Sequence, residues 1–264
     1  MSDSRHNGSA LIGYMLLCSR LILSVFWIIF IFFPLYIIWQ LRAEKLNALM
    51  MQLSFYVGCL IWGVHVKVQG TLARERPLLM VSNHFSYLDV FALGGKIPAR
   101  FTPKSEIASW PVIGFMCKIT GCVFIDRRAA KTLHNKSALD YAMNQGSIIS
   151  LFPEGTTNDG TALLPFKSSF FSLAEYKAVA VQPVSVVYTK LSGKKIDAGN
   201  RLLVGWYGDA LFFPHVITFL QQRTVEVTLV FHDAVKGDAF ESRKAIASYC
   251  RDVIEKEVAS RSTE

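Results

Sequence analysis

The sequence predicts an α/β fold, a mostly parallel central sheet flanked by helices, with an N-terminal apolar helical membrane anchor. Two observations carry this reading. The apolar excess of a chain that is 52% hydrophobic and 18% charged sits in its first 65 residues. From Val64 onward, strand-like and helix-like segments alternate, the pattern of a parallel sheet with crossover helices. With 264 residues the chain has room for one or two domains. Residues 1–63 are assigned to a membrane-associated helical segment and 64–264 to the α/β domain.

Within the anchor, Leu21 to Leu41 carries no charge. As a helix it would be about 31 Å long, enough to cross a hydrocarbon core. Arg20 precedes it and Arg42 and Lys45 follow, so positive charge on both sides leaves the orientation open. Pro34 is expected to kink or break the helix, and Ala10 to Ser19 adds a second apolar stretch upstream. A bent hairpin entering one leaflet and a single crossing both fit. A cleaved signal peptide does not, because the run is long and no A-x-A-like site follows it. Leu46, Leu49, Met50, Leu53, Val57, Leu60 and Ile61 then recur at helical spacing, a stripe expected to pack on the domain or lie in the membrane interface.

In the domain, Val64–Gly70 alternates at period two. Pro77–Asn83, Gly121–Asp126 and Ser147–Phe152 read as buried strands. A helix is expected from about Ala129 to Asn144, stopped by Gly146. Ala178–Tyr188, Leu202–Tyr207 and Thr224–His232 add strands. A closing helix is expected from Asp238, with Asp238 and Glu241 as a capping box. Ligand loops in such folds lie at the carboxyl ends of the strands. Two loops stand out there, Asn83–Asp89 and Pro153–Gly160.

The net charge of +8 and a pI near 9.3 point to an anionic partner, nucleic acid or acidic lipid. Five scattered cysteines, with no C-x-x-C and no His/Cys ligand spacing, indicate neither a disulfide framework nor a metal site, and suit a reducing, cytosol-facing location. H-E-x-x-H, G-x-S-x-G, G-x-G-x-x-G and the P-loop are absent, so those chemistries lose their sequence support.

His84 and Asp89 are five residues apart, about 140° around a continuous helix, and so would diverge on one. They meet only if His84 lies in the turn before a helix and Asp89 in its first turn. Ser86-x-x-Asp89 reads as such a helix start, with Ser86 as cap. A His oriented by a carboxylate is a candidate general base, and N–H groups at the same helix start are candidates to stabilise an oxyanion. The plainer alternative makes Asp89 a capping carboxylate and His84 a turn residue. His65, His134, His215 and His232 read as structural.

Further blocks follow in order: N-H-x4-D (Asn83, His84, Asp89), K-S-E through G-C-V-F-I-D-R (Lys104 to Arg127), F-P-E-G-T (Phe152 to Thr156) and V-Q-P-V (Val181 to Val184). Over about residues 64–232 this series resembles the glycerolipid acyltransferases, and in particular their bacterial 1-acyl-sn-glycerol-3-phosphate acyltransferase branch. The resemblance implies direct acyl transfer from acyl-CoA or acyl carrier protein to the sn-2 hydroxyl of lysophosphatidate, giving phosphatidic acid. It implies His84 as base, Asp89 as its orienting partner, and Asn83, Lys104, Arg127, Glu154, Gly155 and Thr156 as substrate-binding. Glu154 also reads as a loop or cap carboxylate, and Gly155 suits a loop with unusual backbone angles. Besides the thioester donor no cofactor or metal is implied. The partners implied are a phospholipid membrane, a lysophospholipid acceptor and acyl carrier protein; nucleic acid is not among them. The implied location is a bacterial inner membrane, with the domain on the cytoplasmic face.

One departure matters. Most of the family reads E-G-T-R, whereas this chain has Thr157 after Glu154-Gly155-Thr156. P-E-G-T-T and the segment Trp206 to His215 look like lyso-ornithine lipid acyltransferases, which makes that lipid the alternative acceptor. Lys167 and Arg128 read either as further anion contacts or as solvated surface charge. A third possibility is a non-catalytic basic protein held on anionic lipid.

Overall fold

The computed structural model describes residues 2–124, 133–172, 174 and 179–263. Two long helices open the chain, α1 (Ser2–Gln40) and α2 (Glu44–Trp62). Then come β1 (Val64–Gln69), β2 (Leu78–Ser82), α3 (Leu88–Gly94), β3 (Ala99–Phe101), α4 (Ile113–Ile119), α5 (Leu133–Asn144) and β4 (Ile148–Leu151). The second half holds β5 (Ala180–Leu191), β6 (Lys194–Lys195), α6 (Phe212–Leu220), β7 (Val225–Phe231), β8 (Val235–Lys236) and α7 (Arg243–Thr263).

The main sheet path runs β1-β7-β5-β2-β4-β3, with the short β6 and β8 paired to β5. Pairs β1/β7, β2/β5, β2/β4 and β3/β4 are parallel, and β5/β7 is antiparallel. The expected mostly parallel α/β fold is the one observed. Alternate residues of β2 feed two cores: Leu78 and Met80 pack on one face, Leu79 and Val81 on the other. A strand buried on both faces reads as a continuous apolar run, which is why Pro77–Asn83 was legible.

Several expectations are corrected. Leu202–Tyr207 is not a strand. It is a short 3-10 turn (Arg201–Leu203) followed by irregular chain, because the Trp206 N–H bonds to the Phe85 carbonyl (3.1 Å) rather than to a ladder. Within Gly121–Asp126 the described part, 121–124, is also irregular, with Val123 N–H on the Phe101 carbonyl (3.0 Å). The last helix begins at Arg243, not Asp238. Ser242 caps it, its Oγ accepting the Ala245 N–H at 3.2 Å. The Gly146 stop holds: at φ +68 it sends its N–H to Met143 and that of Ser147 to Ala142. The start expected for this helix, residues 129–132, lies outside the described residues.

The anchor departs furthest from expectation. Pro34 does not break α1, which stays helical from Ser2 to Gln40. On α2 the apolar stripe faces outward: Leu46, Leu49, Leu53 and Leu60 are exposed, while Asn47, Ser54, Gly58 and Cys59 are buried. Small and polar side chains let the helix approach closely. A β-carbon on Gly58 would lie 2.9 Å from the Phe91 ring, and Asn47 Nδ2 donates to the Ile119 carbonyl at 2.7 Å. Periodicity found the helix but could not say which face the domain takes.

Arg20, read as a flanking charge, is buried. Its guanidinium donates to the carbonyls of Leu220 (2.9 Å), Gln222 (2.5 Å) and Arg223 (2.7 Å), tying α1 to the end of α6. Farther along α1, Ser24 accepts from Trp62 Nε1 (3.0 Å), and Tyr36 meets Phe115 of α4 (6.3 Å between centroids). These contacts hold α1 against the end of α6, α2 and α4 at three points. Arg20→Met keeps the apolar stem but leaves these carbonyls without their donor, which should cost about 2–3 kcal/mol. A lowered thermal midpoint in detergent is the expected reading.

Candidate active site

β2, β3, β4 and β5 run parallel, so the loops at their carboxyl ends share one edge of the sheet. The His84 loop follows β2, Lys104 follows β3 and Phe152–Thr156 follows β4. This convergence brings together segments that are far apart in the chain.

His84 lies in the turn before α3 and Asp89 is the second residue of that helix, the arrangement the spacing required. His84 Nδ1 is 2.8 Å from Asp89 Oδ2. A carboxylate only accepts, so Nδ1 carries the hydrogen and Nε2 presents a lone pair. The same Oδ2 accepts the N–H groups of Phe85 (2.7 Å) and Ser86 (3.0 Å). Oδ1 accepts the Tyr188 hydroxyl at 2.6 Å. Asp89 is fully buried, and four donors compensate that burial. Burial and the Asp89 charge push the Tyr188 phenol well above its ordinary range, so it remains a donor.

One expectation about this helix start is corrected and a second is narrowed. Ser86 does not cap it; its hydroxyl is buried without a hydrogen-bond partner. Nor are the N–H groups of His84, Phe85 and Ser86 open to an oxyanion. The last two serve Asp89, and that of His84 donates to Glu154 Oε1 at 2.8 Å.

Glu154 is buried beneath the loop. Its Oε2 accepts from Asn158 Nδ2 and from the Leu164 N–H (2.9 Å). Burial pushes its carboxyl up, against the pull of the Leu164, His84 and Asn158 donors. Expected as a substrate contact, Glu154 has both oxygens on protein donors and grips the backbone of His84. Asn83 behaves similarly, its amide pairing with both backbone groups of Val186 (2.8 and 2.9 Å). Gly155 has φ +76, and a β-carbon there would lie 2.7 Å from Lys167 Nζ, so the expected unusual backbone is present. Thr156 is exposed beside it. Lys104 pairs with Glu106 at 2.9 Å and holds that carboxyl down at about 2. Arg127 and Arg128 lie outside the described residues.

Several contributors went unnoticed in the sequence. Phe152 stacks on the His84 ring (4.0 Å, 16°), and the Asn158 N–H donates to the His84 carbonyl (3.1 Å). The Tyr87 hydroxyl meets His215 Nδ1 at 3.1 Å. Nε2 of His215 faces the carbonyls of Leu202 (3.1 Å) and Gly205 (3.0 Å), so Nε2 bears the hydrogen and Nδ1 accepts. The sequence held one usable signal, the period-two alternation that sets Val184, Val186 and Tyr188 on one face of β5. The imidazole is thus held in one tautomer and locked from behind, with 15% of the side chain still exposed. That suits proton abstraction from a substrate hydroxyl.

The chain is also similar to proteins of known family. A model of the acyltransferase family matches residues 64–187. A lyso-ornithine lipid O-acyltransferase of Rhizobium meliloti (strain 1021) is 34% identical over 213 residues, covering 78% of this chain and 73% of that one. A 1-acyl-sn-glycerol-3-phosphate acyltransferase of Neisseria gonorrhoeae is 37% identical over 140 residues, covering 52% and 54%. The crystal structure of the 1-acyl-sn-glycerophosphate acyltransferase PlsC from Thermotoga maritima shares the fold, with a TM-score of 0.71, 20% identity and coverage of 97% and 98%. This α/β protein, with its apolar N-terminal helix and its His84–Asp89 pair, belongs to the acyltransferase family. It is an acyltransferase, and the non-catalytic lipid-binding alternative gives way.

Burial pushes the imidazoles of His215 and His232 below the ordinary value of 6.5. On acidification the unfolded chain therefore takes up protons first. The stability these groups contribute is present above about pH 6.5 and is lost as the pH falls below it. Thermal midpoints should drop between about pH 7.5 and 5.5. His215→Gln, which does not titrate, should flatten part of that slope.

Proposed function

We propose that this acyltransferase moves an acyl chain from a thioester directly to the hydroxyl of a lysolipid, with lyso-ornithine lipid as the favoured acceptor. The observation that carries the reaction is the His84 imidazole held by the fully buried Asp89. Nε2 takes the hydroxyl proton as the oxygen attacks the thioester carbonyl. The C–S bond then breaks and the imidazolium returns the proton to the departing thiolate. Asp89 keeps the tautomer and stabilises the imidazolium. Glu154 and Asn83 act as positioning residues. Lys104 and Arg127 are proposed to meet the head group, with Gly155 and Thr156 forming the loop against which it lies. No metal or further cofactor enters this scheme; the donor is acyl-CoA or an acyl carrier protein thioester.

The acceptor order differs from the one first read in the sequence, which put lysophosphatidate ahead. Two facts now favour the ornithine lipid: Thr157 stands where an arginine would serve a phosphate, and similarity to the Rhizobium protein extends over 78% of the chain. Lysophosphatidate is the second reading, supported by the motif series and the Neisseria relative. The proposed site of action is a bacterial inner membrane, with the domain on the cytoplasmic face. Because α1 is tied to the end of α6 at Arg20 and meets α4 at Tyr36, we place it within one leaflet rather than across the bilayer.

Thiol release by detergent-purified protein tests this. Palmitoyl-CoA and an acyl carrier protein thioester would each be offered with lyso-ornithine lipid and with lysophosphatidate. Release should be faster with the ornithine acceptor, and His84→Ala should lower it by about 10²–10⁴. An unchanged rate in that variant would sink the assignment of the base. Preference for lysophosphatidate would reverse the acceptor order and make Thr157 a tolerated variation.

A further inference from the structure

The segment from Trp206 to His215, set apart in the sequence but given no role in the reaction, leads into α6. That helix, F-F-P-H-V-I-T-F-L, is uncharged throughout. Phe219 and Leu220 are buried in the core shared with α3. Its other side is bare: Phe213 is 71% exposed and Ile217, one turn on, 46%, while Leu211 just before the helix is 73% exposed. Large apolar side chains exposed together on one helix face mark a contact surface.

Two observations say what covers it. The end of α6 is fixed to α1 by the three carbonyl bonds of Arg20, and Gly13 of α1 lies against Gln221. On α1, Leu11, Tyr14 and Met15 are exposed close to that junction, within an apolar helix long enough to cross a membrane. The end of α6, one turn beyond Ile217, therefore meets α1 beside these exposed apolar residues. Arg223, exposed just beyond α6, suits anionic head groups at the rim.

The inner side of the same segment holds the loop that carries His84. Tyr87 bonds to His215 (3.1 Å), Trp206 N–H bonds to the Phe85 carbonyl (3.1 Å), and Phe212 packs edge-on against Tyr87 (5.2 Å). We propose that α6 is a second membrane contact, seated through Leu211, Phe213 and Ile217 in the leaflet that holds α1, and that this seating steadies the His84 loop. Full turnover then requires a bilayer. The activity arm rests on the lysolipid reaction proposed above; the contact itself does not.

The test uses the full chain in vesicles of phosphatidylethanolamine and phosphatidylglycerol. A photo-crosslinking amino acid at position 213 should yield adducts with lipid. Combined Leu211→Ser, Phe213→Ser and Ile217→Ser should keep the thermal midpoint in detergent and the rate on a soluble short-chain acceptor. On vesicle-borne acceptor the same variant should lose about tenfold or more. Adducts with a second copy of the chain or another protein, or none at all, would overturn the proposal. So would an equal loss on soluble and vesicle-borne acceptors. Absence of lysolipid activity from the unmodified enzyme would sink the reaction instead and leave the crosslinking result standing.

Discussion

Everything around the site depends on one buried carboxylate. Asp89 is withdrawn from water, and an isolated charge there would be too costly to persist. It is tolerable only because the Phe85 and Ser86 N–H groups, the His84 ring and the Tyr188 hydroxyl all converge on it. Each of those donors is thereby fixed in turn. The backbone must turn sharply between β2 and α3, the imidazole must present Nε2, and β5 must place Tyr188 opposite the helix start. Charge burial here specifies geometry more than it adds stability.

A second carboxylate extends the same logic. Glu154 comes from the loop after β4 and reaches the backbone of His84, while Asn158 from the same loop takes the His84 carbonyl. The turn is gripped on its N–H and C=O sides by one neighbouring segment, and Trp206 and His215 hold it from another. Neighbouring parallel strands make this possible, because their carboxyl ends open onto one edge of the sheet. The F-P-E-G-T block thus reads as two things at once. Its glutamate and phenylalanine support the imidazole, while its threonine is exposed.

The parts of the fold legible in advance were those whose signal is local. A period-two run located β1, apolar strand-like runs located β5 and β7, and Gly146 marked the end of α5. The H-x4-D spacing, taken with Ser86, placed His84 before a helix and Asp89 within it. Failures came where tertiary contacts outweighed local pattern. Leu202–Tyr207 has strand-like composition, yet Trp206 gives its N–H to Phe85 and Val204 is buried without any ladder. The α2 stripe was real, but the domain packs against its small residues, since Gly58 admits the Phe91 ring where a leucine could not. Arg20 looked like a membrane flank, because nothing local discloses three free carbonyls some two hundred positions away.

The amino-acid sequence by itself determined the α/β class, the apolar N-terminal helix and the residue types at His84, Asp89 and Glu154. The first two follow from periodicity and the His84–Asp89 pair from turn preference and side-chain chemistry, which act over a few residues; Glu154 stood out through the resemblance of its block. Tertiary structure alone decided that Glu154 holds the His84 backbone, that Tyr188 completes the Asp89 shell and that α6 ties α1 to the loop before α3. Such partners meet only through strand order and helix packing. Their selection rests on satisfying buried polar groups and filling the cores, conditions that span the whole chain and leave little trace in any one window of it.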